Sequence, residues 1–141
     1  MVNSGKLVPD RIAVDIVRSH LEKPQCQDRF VMDGFPRVIR QARFLNEYLN
    51  SKGTHLDRMI LLDILEKEVF RRAVARRIED GRKDDESDKT LSSIMKTYQN
   101  QTMQAIKYFE AQGTASHIDG TLTIPPGFEN ILFLLSQNMD R

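Results

Sequence analysis

Two stretches of the chain carry residues suited to chemistry. The first is Asp33-Gly34-Phe35-Pro36-Arg37, with Gln41 and Ala42 just beyond it. An apolar run, Phe30-Val31-Met32, stops at a carboxylate, followed by a glycine that lets backbone approach a ligand and then by a planar, fork-shaped cation. Strand, tight turn and helix start is the corner at which α/β proteins hold ligands, outside the carboxyl ends of their strands. The second stretch is 71–83, with Arg71, Arg72, Arg76, Arg77, Arg82 and Lys83, followed by Asp84, Asp85, Glu86 and Asp88. Arg72 and Arg76 are four apart and share a helix face. Guanidinium groups match phosphate oxygens geometrically, so this cluster suits phosphate binding. The same spacing also suits solvated helix charges paired with Glu68, Glu79, Asp84 and Asp85, and composition alone leaves both open. For Asp33 and Arg37 the plainer alternative is a turn carboxylate and a surface ion pair.

The elements that would position these residues follow from periodicity. Pro9 and Asp10 suit a helix start, and Val8, Ile12, Ile16, Val17 and Leu21 predict an amphipathic helix over 9–22. A strand over 30–33 follows, and then a helix from Pro36 with Val38, Ala42, Leu45 and Leu49 along one stripe, capped near Gly53. Met59-Ile60-Leu61-Leu62-Asp63-Ile64 reads as a strand buried on both faces, as in parallel sheets. Helices are expected over 66–77 and 87–112, the second closed by Gly113. A short strand over 115–118 and a last helix from Pro125-Pro126 complete the chain. This alternation predicts an α/β layered domain with a mostly parallel sheet. Asp33-Gly34, Asp63 and Asp119-Gly120 then end three strands at one edge, with Asp63 and Asp119 expected to cap rather than bind.

The totals narrow the function classes. The 141 residues suit one domain with a substantial core. Lys and Arg number 21 against 20 Asp and Glu, so net charge argues for neither a nucleic-acid nor a membrane partner. A single Cys26 allows no internal disulfide, no apolar run approaches about 18 residues, and the first residues show no signal-peptide pattern. A soluble cytoplasmic domain is the expectation.

The residues also resemble a family. Gly5-Lys6-Leu7-Val8-Pro9-Asp10, Asp33-Gly34-Phe35-Pro36-Arg37 with Gln41-Ala42, the Arg72/Arg76 helix, Gly81-Arg82-Lys83-Asp84-Asp85, Tyr98 with Gln101-Thr102, and Ile118-Asp119-Gly120 resemble the adenylate kinases and their nucleoside monophosphate kinase relatives. The likeness covers essentially the whole chain. It implies a three-layer, P-loop-kinase-like α/β domain over 1–141, with 1–25 as the remainder of the monophosphate-binding region and 77–85 as a short lid.

The implied roles fall on particular residues. Leu7 and Val8 resemble contacts to the monophosphate's base, Gly34 and Arg37 the AMP-site glycine and phosphate-binding arginine, and Gln41 the glutamine that hydrogen-bonds adenine. Gln41-Ala42, in place of the Asp-Asn of UMP/CMP kinases, implies AMP as acceptor. Asp33 resembles the carboxylate that holds magnesium through water. Arg72 resembles the arginine over the ATP base, Arg76 and Arg82 the phosphate clamps, and Gly120 with Leu122 the segment whose backbone meets that base. The activity implied is magnesium-dependent in-line phosphoryl transfer from ATP to AMP, giving two ADP, with positioning and charge neutralisation as the protein's part. Nucleotides would be the partners, with no nucleic acid or membrane, no lid zinc, and a monomer when complete.

Two departures accompany the resemblance. No G-x-x-x-x-G-K-[ST] phosphate-binding loop occurs in the 141 residues. The likeness begins part-way into the family, so the expectation is an N-terminally incomplete domain lacking its first strand. In addition, Ile94 stands where a further phosphate-clamping arginine is expected, in a segment one residue longer than usual. A non-catalytic nucleotide-binding or regulatory relative is therefore the alternative.

Overall fold

A computed structural model describes residues 9–80 and 88–137. The elements run α1 (Asp10–Leu21), a 3-10 turn (Pro24–Cys26), α2 (Ile39–Ser51), β1 (Met59–Asp63), α3 (Glu66–Asp80), α4 (Asp88–Thr97), a π turn (Tyr98–Thr102), α5 (Met103–Glu110), β2 (Ala115–Asp119) and α6 (Ile124–Ser136). Among the described residues the sheet has two strands, β1 and β2, which pair in parallel with Met59 opposite Ala115 and Asp63 opposite Asp119. The α/β class and parallel pairing thus agree with the pattern of elements.

The core lies between the helices and this strand pair. Leu21 of α1 meets Leu45 and Leu49 of α2, joined by Val17, Phe30, Met32, Phe35, Tyr48 and Leu56. Ala42 of α2 meets Ala105 and Phe109 of α5, with Leu56, Met59, Tyr108 and Ala115 around them. Leu56 belongs to both clusters. Asn46 on α2 donates to the Tyr108 hydroxyl at 3.1 Å, adding a polar tie between the same two helices. α2 and α5 end alike: Thr54 N–H donates to Leu49 O and Thr114 N–H to Phe109 O, each at 3.1 Å, which turns the chain towards β1 and β2.

Four expectations are corrected. Phe30–Asp33 forms no strand among the described residues; Phe30 and Met32 pack on the α1–α2 core while Val31 is 98% exposed. Alternation put one face of this segment inward, but a strand also needs a neighbour's hydrogen bonds, and none of the described strands pairs with it. Helix α2 begins at Ile39 rather than Pro36, because Val38 is extended (φ −137°, ψ 158°). The 87–112 helix is interrupted by the π turn, which absorbs an extra residue and so lets Leu91 on α4 and Ala105, Ile106 and Phe109 on α5 all stay buried. β1 is not buried on both faces either, with Leu62 55% exposed. α6 lies against β2 but leaves Ile124, Phe128, Leu132 and Phe133 largely exposed.

Candidate functional site

The Asp33–Gln41 corner is built by side chains folding back onto the backbone. Gly34 has φ +76°, a left-handed conformation that disfavours any side chain. A Cβ there would also come within 2.9 Å of Arg37 Nη2, so a side chain at this position would displace the arginine. Arg37 lies over this glycine, donating from Nε to Gly34 O at 2.7 Å, and its side chain remains exposed. Its backbone N–H donates to Gln41 Oε1 at 2.8 Å. Gln41 sits in the first turn of α2, where a side-chain oxygen reaching back satisfies a donor ahead of the helix, much as in a capping box. Gln41 is only 3% exposed, and its Nε2 donates to Asp10 Oδ1 at 3.1 Å. The structure therefore brings Gly34, Arg37 and Gln41 together and adds Asp10, which spacing had marked only as a helix-start charge. Nothing in the sequence links Asp10 to Gln41, 31 positions away.

Asp33 is exposed at the start of this turn. Among the described residues no group of three or more His, Cys, Asp or Glu side chains could hold a metal ion. A magnesium ion would thus find one free-standing carboxylate and would draw its remaining ligands from water and from nucleotide phosphates, as that ion commonly does.

The arginine helix is partly spoken for. Glu68 on α3 accepts from Arg71 at 2.7 and 2.6 Å and from Arg72 Nε at 2.8 Å. The two guanidinium groups, Arg71 foremost, hold the Glu68 carboxyl at a pKa of about 2. Of the two readings left open by spacing, helix pairing is what Arg71 and Arg72 show here, with Arg72 fixed in orientation by its partner. Arg76 lies one turn further along and is exposed. Leu7, Val8 and Arg82, three of the expected site residues, fall outside the described residues.

The ends of β1 and β2 form a third cluster. Gly120 N–H donates to Asp63 O at 2.7 Å, and a Cβ at Gly120 would stand 2.9 Å from that same oxygen, so backbone packs on backbone where only glycine fits. Asp119 Oδ1 accepts from the Thr121 N–H and hydroxyl at 2.8 and 2.6 Å, which lowers its pKa and shapes the turn leading to Leu122, itself 36% exposed. Asp119 thus closes its own turn, while Asp63 ties the end of β1 to the end of β2 through its backbone oxygen.

Asp63 also engages a residue that sequence reasoning missed. His117 Nδ1 lies 2.9 Å from Asp63 Oδ2 and its Nε2 lies 3.1 Å from Glu110 Oε1. A ring between two carboxylates is best served when both nitrogens donate, and the hydrogen bond to Asp63, then Glu110, raises the His117 pKa. Burial first, and then the Asp63 charge, push the Tyr98 hydroxyl pKa up. A raised histidine pKa stabilises the fold below the unfolded value of about 6.5, and that contribution disappears as pH rises through the folded pKa. Thermal unfolding of His117→Gln against the parent should therefore show a deficit at pH 5.5 that fades by pH 9. A deficit independent of pH would place its origin elsewhere.

The family profile described as adenylate kinase matches residues 1–114, a span that contains Asp10, Gly34, Arg37, Gln41 and the whole α3 helix. The chain belongs to the adenylate kinase family. Among its relatives, the adenylate kinase of Leptospira biflexa serovar Patoc is 34% identical over 119 residues, covering 84% of this chain and 63% of the relative. That of Bacteroides fragilis is 34% identical over 130 residues, covering 92% and 68%. That of Syntrophobacter fumaroxidans is 29% identical over 160 residues, covering 95% and 75%. The chain thus spans a little under two thirds of the Leptospira adenylate kinase. The Syntrophobacter alignment is longer than this 141-residue chain, so that adenylate kinase carries residues within the matched span that have no counterpart here. Among the described residues no helix is long and apolar enough to cross a membrane.

Proposed function

We propose that the chain serves a nucleoside monophosphate kinase of adenylate kinase type, transferring the γ-phosphoryl group of ATP to AMP with magnesium to give two ADP. The observation that carries this reading is the corner in which Gly34, Arg37 and Gln41 are held together by hydrogen bonds of 2.7–2.8 Å. Arg37 presents an exposed, pre-oriented guanidinium for the AMP phosphate, and Gln41 a buried amide for the base. Leu7 and Val8 are assigned to the same base, Arg72 and the Gly120–Leu122 segment to the ATP base, and Arg76 and Arg82 to phosphate charge. Asp33 is the carboxylate assigned to magnesium through water; the ion's contribution when bound is to neutralise phosphate charge. Residues 77–85 are read as a short lid.

The second reading is a nucleotide-binding relative without turnover. Ile94, half-buried on α4 where a cation was expected, favours it. A coupled assay for ADP formation separates the two. The protein should form ADP only when ATP, AMP and magnesium are all present. AMP binding by the protein with no ADP formed would establish the second reading instead.

A further inference from the structure

The geometry points to Asp10 as a positioning residue that sets base selectivity by holding the Gln41 amide in one of its two orientations. This rests on the AMP reading of the Gln41 corner. A glutamine amide can rotate by half a turn and exchange its oxygen for its NH2 at almost no cost, and the two orientations complement opposite base edges. Adenine offers an amino donor beside a ring-nitrogen acceptor; hypoxanthine offers a carbonyl acceptor beside a ring N–H donor. An amide free to flip would serve both.

Gln41 is not free to flip. Its Oε1 accepts from the Arg37 N–H at 2.8 Å, and its Nε2 donates to Asp10 Oδ1 at 3.1 Å. A backbone N–H can only donate and an ionised carboxylate can only accept, so reversal would set NH2 against N–H and oxygen against oxygen. With the residue only 3% exposed, little water is at hand to relieve either clash. Among the described residues, one lone pair on Oε1 and one N–H on Nε2 take no other partner. That pair complements the adenine edge and mismatches hypoxanthine. Of the two locks, Asp10 is the one carried by a side chain and by a full charge, and it is half-buried at the first position of α1.

The alternative role for Asp10 is to stabilise α1 by placing negative charge in its first turn, which would change unfolding but not choice of base. The test is calorimetric titration of the full chain with AMP and with inosine monophosphate, for the parent, Asp10→Asn and Asp10→Ala. Asp15→Asn serves as the control, since it removes a carboxylate from the same helix that lies exposed beside Arg11. The parent and the control should prefer AMP by at least about a hundredfold, in line with sites that reject a mispaired analogue. Asp10→Asn, whose own amide can donate or accept, should lower the preference to less than about tenfold, leaving only the Arg37 lock. Asp10→Ala should behave likewise, and thermal unfolding identifies either variant that fails to fold, in which case the other decides. An unchanged preference in a folded Asp10 variant would overturn the positioning role while leaving the AMP site intact. A parent that binds neither nucleotide, or both equally, would overturn the AMP reading itself and this role with it.

Discussion

Replacing Arg37 with alanine should weaken AMP binding about 10- to 150-fold and leave adenosine binding nearly unchanged. A guanidinium–phosphate contact is a charge-assisted hydrogen bond worth about 1.5–3 kcal/mol, and each 1.4 kcal/mol is tenfold in affinity. The guanidinium is already oriented by its bond from Nε to Gly34 O, so little ordering is lost when phosphate arrives. Adenosine, lacking the phosphate, separates loss of that contact from collapse of the turn. The backbone N–H that holds Gln41 is kept in Arg37→Ala, so the base side of the corner should survive. Equal losses for AMP and adenosine would mean that Arg37 shapes the turn rather than meeting the phosphate.

The largest stability effect is expected at Phe109, in the packed contact between α2 and α5. Phe109 is 1% exposed, packs on Ala42 and Ala105, and meets the Tyr108 ring edge-on at a centroid distance of 5.4 Å. Truncating a buried phenylalanine costs about 3–5 kcal/mol, a large share of a domain stability that is typically about 5–15 kcal/mol. Phe109→Ala should therefore unfold cooperatively at a much lower denaturant midpoint. Because Phe109 holds α5 against α2, which carries Gln41, nucleotide binding should be lost in proportion to the unfolded fraction. A folded Phe109→Ala with parental stability would mean that the α2–α5 contact contributes little.

Which features could be read from the chain alone follows from what each depends on. Helices α1, α2, α3 and α6 follow from local periodicity and from Pro and Gly signals, and they appear near the expected bounds. Strand β1 is legible as an apolar run and β2 as a short segment ending at Asp119-Gly120. The segment 30–33 was misread because inward-facing Phe30 and Met32 resemble a strand whether or not a neighbour supplies hydrogen bonds. The π turn was invisible because the apolar residues on either side keep helical spacing. The site divides the same way. Gly34, Arg37 and Gln41 lie within eight residues, so their grouping was legible from sequence. The Asp10–Gln41 bond and the His117 link to Asp63 and Glu110 depend on how α1 meets α2 and on strand register, which no local pattern encodes. At Glu68, spacing offered pairing with Arg71 and Arg72 as one of two options, and only the placed side chains selected it.

The central claim is that the corner from Gly34 to Gln41 is a nucleoside monophosphate site. The most direct measurement is an amide-resolved NMR titration of the chain with AMP. Saturable shifts should begin at the Gly34, Arg37 and Gln41 amides and reach Asp10, with inorganic phosphate at the same concentration shifting Gly34 and Arg37 but not Asp10. Saturable AMP shifts confined to other parts of the chain, or no saturable shifts at all, would contradict it.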